Sequence, residues 1–256
     1  MSAPDYGSLF SGHAASYAAF RPRYPDALFA ALAERAPSRR LAWDCGTGNG
    51  QAAAGLAVHF EQVLATDPSR EQLAHAIAAP RIVYRHLVEE PVDLADASCA
   101  LVTAAQAAHW FDLPRFFTTV ARVLEPGGLV ALWCYSLLEV APEFDALVRR
   151  LHDETLAEDW PPPRALVSAG YRSIVLPFPE ITSEWPKFAI ARQLPLAGVV
   201  GYLRTWSALQ QHRRRTGADP LDALAPSLAA AWGDPATARQ VRWPLHLRVA
   251  RKPSRR

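Results

Sequence analysis

Residues 41–67 read LAWDCGTGNGQAAAGLAVHFEQVLATD, and the fold turns on how this stretch is read. Leu41, Ala42 and Trp43 are an apolar approach to Asp44, Gly46, Gly48 and Gly50, after which Ala52, Ala53, Leu56, Ala57 and Phe60 fall at helical spacing. The glycines therefore join a buried strand to a helix. They let the backbone turn tightly and let a ligand approach main-chain atoms that a side chain would shield, at a helix start whose amides point outward. Gln62 to Asp67 is a second short apolar run that ends in an acid. Asp67 lies 21 positions after Gly46, the distance at which a βαβ unit brings a carboxylate onto the two hydroxyls of a ribose.

The third glycine narrows the ligand. The dinucleotide fingerprint G-x-G-x-x-G would place its last glycine where Gln51 stands, and here Gly50 comes one residue earlier. A pyrophosphate fits such a turn poorly. Asp44 argues the same way, because a carboxylate repels phosphate yet accepts hydrogen bonds from an ammonium group. A ligand with a ribose, an adenine and an amino-acid end fits better. S-adenosylmethionine is such a ligand, and the segment resembles the first motif of class I S-adenosylmethionine-dependent methyltransferases. The resemblance implies that Asp44, Gly46, Thr47, Gly48, Gly50 and Asp67 hold this cofactor, which leaves as S-adenosylhomocysteine.

Further stretches extend the likeness. YAAFRPRYP at 17–25, AAQAAHWF at 104–111, RVLEPGG at 122–128 and GYLRTWSA at 201–208 are similar to a methyltransferase subgroup that includes the trans-aconitate methyltransferases. That similarity implies that residues 1–25 close over the cofactor, with Tyr17 and Arg21 at its methionine end and Arg21 pairing with its carboxylate. In the acidic loop HLVEEPVDLADAS at 86–98, Glu89 is the candidate partner of the adenine amino group.

In an open parallel sheet, ligands sit beyond the carboxyl ends of the strands where the strand order reverses, and Gln106, His109 and Trp110 leave the fourth strand at such an end. Gln106 is assigned to the cofactor. His109 is the candidate general base, since its ordinary pKa lies near neutrality. His109, Trp110, Tyr135 and Trp206 are assigned to the acceptor pocket, where aromatic faces attract a sulfonium or a substrate. The run His212, Arg213, Arg214, Arg215 reads either as a reader of acidic substrates or as the solvated end of a helix, the second being favoured.

Composition excludes several classes. Of 256 residues, half are hydrophobic and a fifth are charged, which is an ordinary globular balance. The net charge of +2 comes from the tail, since without Arg251, Lys252, Arg255 and Arg256 there remain 23 basic against 25 acidic residues. Bulk charge gives no reason to expect nucleic acid, and the longest apolar run, near Leu129 to Ala141, is too short and interrupted for a bilayer. A cytoplasmic protein is expected, as a monomer or homodimer. Cys45, Cys99 and Cys134 are an odd, scattered set, so neither disulfides nor a metal site is expected.

The expected fold is one α/β domain over 1–256, a Rossmann-like seven-stranded, mostly parallel sheet with an antiparallel last strand, helices on both faces and helical substrate-facing insertions. Residues 40–135 form the cofactor-binding core, 136–235 the insertions and the sixth strand, and 238–250 the last strand. Local readings place a capping box at Ser69 and Gln72, a strand over LVALWCY at 129–135, a helix over 142–156, a sixth strand over 181–194 and a single helix over 197–211. Pro244 interrupts the alternation of Val241, Trp243, Leu245, Leu247 and Val249, so it is expected at a bulge or an unpaired position. The expected activity is methyl transfer to an oxygen, nitrogen or carbon of a small molecule, a carboxylate among the candidates. Two rivals stay open: a nicotinamide-dependent oxidoreductase, and a non-catalytic cofactor-binding or interaction protein on the same fold.

Overall fold

In the computed structural model, which describes residues 23–87, 93–182 and 185–254, seven strands form one sheet in the order β3-β2-β1-β4-β5-β7-β6. The strands are β1 (Leu41–Cys45), β2 (Gln62–Asp67), β3 (Ile82–His86), β4 (Cys99–Ala105), β5 (Leu124–Tyr135), β6 (Ala189–Leu194) and β7 (Arg239–Arg251). Pairing is parallel from β3 through β5, whereas β7 lies antiparallel between β5 and β6. The strand order reverses between β1 and β4, so their carboxyl ends open a crevice there.

Alternation along the strands sends side chains to opposite faces. Ala42, Ala65, Leu101, Ala131 and Trp133 pack under α1 (Asp26–Arg35) and α2 (Gln51–Leu56). Trp43, Leu64, Val102, Val130 and Leu132 pack under α4 (Leu113–Val123), whose Phe116, Val120 and Val123 form its inner stripe and whose start is capped by Asp112. Between these, α3 (Arg70–Ala74) starts where the Ser69 hydroxyl accepts from the Gln72 amide, one half of the expected capping box, while the Ser69 amide donates to Asp67 instead of the Gln72 side chain. A third core joins the outer half of the sheet, Val241, Trp243 and Ile190, to α5 (Pro142–Arg150), α7 (Leu196–Arg204), α8 (Ser207–Thr216) and α9 (Pro220–Trp232). The short α6 (Arg164–Ser168) packs on the α4 face through Val167.

Four boundaries differ from the sequence expectation. β5 begins at Leu124 because the EPGG segment is absorbed as a bulge, with Cys99 facing Leu124 but Leu101 facing Leu129. The helix expected over 142–156 is regular only to Arg150, and Leu151–Thr155 is a wider π-helical turn. β6 is confined to Ala189–Leu194, and before it a lone bridge pairs Glu180 with Ala250. The helix expected over 197–211 is two helices, because Trp206 turns extended, at φ −69° and ψ 130°, and directs its ring inward. Pro244 faces Ala189 of β6, and its carbonyl accepts from the Ser136 amide just past the end of β5, so the missing N–H falls where that ladder has ended.

Candidate active site

The glycine turn is held from two sides. The amides of Gly46 and Thr47 donate to the Thr66 carbonyl at 2.9 and 3.0 Å, and the Ile77 amide donates to the Asn49 carbonyl at 3.0 Å. Gly46, Gly48 and Gly50 all adopt left-handed backbone, at φ 68°, 57° and 83°. Their surroundings differ. A methyl group on Gly46 would lie 2.6 Å from the Ala107 Cβ, and one on Gly50 would lie 2.1 Å from the Tyr84 hydroxyl, whereas at Gly48 the nearest atom is Gln72 Oε1 at 3.9 Å. Protein fills the space at the first and third glycine, and the middle one faces room for a ligand. Contact of Gly46 with Ala107 and Phe111 also seats the turn against the exit of β4.

Two carboxylates flank the turn. Asp44 is fully buried at the end of β1, where Thr47 Oγ1 donates to Oδ2 at 2.6 Å and Thr103 Oγ1 to Oδ1 at 2.7 Å. Burial pushes its pKa up to about 6, against those hydroxyls, and the charge of Asp67 adds to the rise. Asp67, at the end of β2, accepts from the Gly48 amide at 2.7 Å and the Ser69 amide at 2.8 Å, and burial raises its pKa too. A site with two buried acids is relieved by a cation and made worse by an anion. The donor set therefore fits a ligand with an ammonium and a sulfonium charge, and disfavours a pyrophosphate. Thr103 escaped the sequence reading, although a hydroxyl inside the apolar run CALVTAA is the local signal for it.

At the β4 exit, Gln106 holds left-handed backbone at φ 56°, a conformation few side-chain-bearing residues adopt. Its amide donates to the Trp133 carbonyl at 2.8 Å and its Oε1 accepts from the Tyr135 amide at 2.9 Å, while its buried Nε2 has no partner among the described residues. His109 follows in a tight 3-10 turn, Ala108–Trp110, buried, with its ring beside Trp110 at 4.6 Å and its Nδ1 2.9 Å from the Tyr171 hydroxyl. Gln106, His109, Trp110 and Tyr135 are thus gathered at the ends of β4 and β5. Trp206 belongs to the core of the helical layer, with Tyr202, Trp160 and His152 around its ring. Tyr17, Arg21 and Glu89 lie outside the described residues.

A second tier comes from far along the chain. Arg248 of β7 donates to the carbonyls of Tyr171 at 2.7 Å and Ile174 at 2.5 Å and forms a two-pronged pair with Glu180. Ser136 and His246 share a short hydrogen bond just beyond the end of β5. The basic run is not wholly solvated: Arg215 grips the buried Asp159 through two bonds of 2.8 Å and His212 approaches it at 2.7 Å. The guanidinium of Arg215 holds the Asp159 carboxyl below its ordinary pKa.

Residues 43–132, from β1 into β5, match the family model described as methyltransferase domain. A candidate methyltransferase of Dictyostelium discoideum is 30% identical over 231 residues, which cover 89% of this chain and 87% of that protein. The chain belongs to the methyltransferases. Another relative, from Saccharomyces cerevisiae and named as a candidate S-adenosylmethionine-dependent methyltransferase, is 30% identical over 141 residues, spanning 51% of this chain and 46% of that one. The structure of a candidate type II methyltransferase from Anaeromyxobacter dehalogenans superimposes with a TM-score of 0.86 at 49% identity, over 92% of this chain and all of that one. This methyltransferase is thus of the class I, S-adenosylmethionine-dependent kind on a Rossmann-like fold. Among the described residues no helix is long and apolar enough to cross a membrane, and no cluster of His, Cys, Asp and Glu is arranged to hold a metal ion.

Proposed function

We propose that this methyltransferase acts on a small molecule, methylating an oxygen, nitrogen or carbon, with a carboxylate oxygen as the first acceptor to test. The observation that carries the cofactor half of this reading is the pair Asp44 and Asp67 around an open Gly48. Asp67 would receive the ribose hydroxyls. Asp44, braced by Thr47 and Thr103, would face the ammonium end, and Gly46, Gly48 and Gly50 would admit the ligand to the main chain. Gln106 Nε2 is a buried donor with no acceptor among the described residues, at the same crevice. Tyr17, Arg21 and Glu89 are proposed as further cofactor contacts on the resemblance alone.

When bound, the cofactor supplies a methyl group on a good leaving group. The protein's part is then to hold the acceptor in line and to keep water out, with Trp110 and Tyr135 as walls and His109 at the acceptor. The carboxylate preference rests on the similarity of AAQAAHWF and RVLEPGG to the trans-aconitate methyltransferase subgroup, and such an acceptor needs no base. Calorimetry with S-adenosylhomocysteine, followed by methyl transfer from radiolabelled S-adenosylmethionine to a panel of carboxylates, amines and phenols, tests the proposal. A methylated small molecule is expected. Binding of NADH in place of S-adenosylhomocysteine, or cofactor binding with no turnover across the panel, would refute it.

A further inference from the structure

We propose that Gln72 is a second ribose-binding residue, which shares the two sugar hydroxyls of the cofactor with Asp67 and so makes the site selective for a ligand that carries both. This rests on the cofactor reading above. The spacing of Ser69 and Gln72 predicts a different task, since in a capping box the Gln72 side chain would accept from the Ser69 main-chain amide. That amide is taken. It donates to Asp67 Oδ1 at 2.8 Å, and only the reciprocal bond, from the Gln72 main-chain amide to the Ser69 hydroxyl, is made. The side chain of Gln72 is thereby released. Gln72 is 6% exposed, and among the described residues its carboxamide has no hydrogen-bond partner. Unlike the sealed Nε2 of Gln106, that carboxamide still reaches open space.

The side chain ends where the cofactor is read to enter. At Gly48, whose amide donates to Asp67 Oδ2 at 2.7 Å, the first atom that an added methyl group would meet is Gln72 Oε1, 3.9 Å away. Gly48 therefore has the Asp67 carboxylate on its amide and the Gln72 carboxamide across the opening at its α-carbon. An ionised carboxylate accepts about four hydrogen bonds, and on Asp67 the amides of Gly48 and Ser69 leave sites for the hydrogens of two hydroxyls. Each hydroxyl oxygen is also an acceptor, and an ionised carboxylate has no hydrogen to give it. A carboxamide supplies what is missing, because its NH2 donates and its oxygen accepts. Either end can meet a hydroxyl, so the pairing holds whichever way the group is turned. A polar side chain taken from water without a partner is unfavourable, and a sugar hydroxyl relieves it when the cofactor binds.

Calorimetry of the full chain with S-adenosylhomocysteine and with its 2′-deoxy and 3′-deoxy analogues tests this. Gln72→Met keeps the length of the side chain and removes both polar ends. It should weaken S-adenosylhomocysteine by about five- to tenfold, yet weaken the analogue that lacks the contacted hydroxyl by less than about twofold. The ligand-free variant should melt no lower than the wild type, since no bond within the described protein is lost. A folded variant that binds S-adenosylhomocysteine within about twofold of the wild type overturns the proposal, and so does an equal loss for all three ligands. If Gln72→Met does not fold, the side-chain amide resonances of Gln72 in the wild type decide. They should shift with S-adenosylhomocysteine and shift less with the matching deoxy analogue, and resonances that S-adenosylhomocysteine leaves in place overturn the proposal. A wild type that binds no S-adenosylhomocysteine refutes the cofactor reading and this assignment together, whereas wild-type binding with no loss in Gln72→Met refutes the assignment alone.

Discussion

Asp67, at the end of β2, adds its negative charge to the burial that already holds Asp44 back from ionising at the end of β1. The ordinary carboxyl value is 3.8 and the folded value about 6, so between these limits the folded protein binds more protons than the unfolded chain. Stability of the ligand-free protein therefore declines as pH rises through that window, by about 3 kcal/mol once the window is passed. Asp44→Asn should remove this decline. Thermal melts should show the variant above the wild type near neutrality and level with it near pH ~4.

The same carboxylate makes cofactor binding depend on pH. A ligand with an ammonium group binds the ionised form of Asp44, so affinity for S-adenosylhomocysteine should fall as pH drops below about 6 and should lose that dependence in Asp44→Asn. Calorimetry across the range checks it, and a wild-type affinity that stays flat would detach Asp44 from the ammonium.

Asp67→Ala should weaken S-adenosylhomocysteine by at least about tenfold, since each charge-assisted bond to a ribose hydroxyl is worth about 1.5 to 3 kcal/mol. Asp67 also ties the amides of Gly48 and Ser69, so the variant should show faster amide exchange at both. Unchanged affinity in a folded variant would remove Asp67 from the cofactor.

Two glycine variants should separate folding from binding. Gly50→Ala drives a methyl group into the Tyr84 ring and strains the backbone, and should cost at least about 1 to 3 kcal/mol in urea unfolding. Gly48→Ala shares the backbone strain of a left-handed position but meets no clash, its nearest neighbour being Gln72 Oε1 at 3.9 Å, so it should cost less stability than Gly50→Ala and show its further loss in S-adenosylhomocysteine affinity. Equal patterns for the two would mean that the cofactor does not approach at Gly48.

Once an acceptor is found, His109→Gln separates a hydrogen-bonding role of His109 from a base role. A glutamine amide can still donate, so turnover should fall by less than about tenfold and the acidic limb of the pH–rate profile should stay in place. Loss of that limb, with a drop of about a hundredfold or more, would make His109 the base after all.

What was legible in the sequence is what local spacing encodes. The turn from Asp44 to Gly50, the acid at Asp67, the cap at Ser69 and the alternation in β7 each announce themselves within a few residues. The second tier does not. Tyr171 meets His109 from 62 positions away, and Arg248 reaches the Tyr171 carbonyl across 77, so neither leaves a periodic trace. The run from His212 to Arg215 looked solvated because its buried partner, Asp159, lies more than 50 residues upstream. The packing of Trp206 is equally silent in the sequence: the helix break at that residue, which directs its ring into the helical core, leaves no mark in the spacing of 197–211.

β7 lies between β5 and β6, and among the described residues β6 pairs with no other strand. As the chain leaves the ribosome, β1 to β5 can assemble their parallel ladders early, but residues 189–194 have nothing to zip against until residues 239–251 emerge. Through that interval the outer helices have only half of the surface on which they pack. Long-range pairing of this kind is slow and leaves strand edges open to wrong partners, so the last strand to be made is the step that commits the outer half of the molecule to its shape.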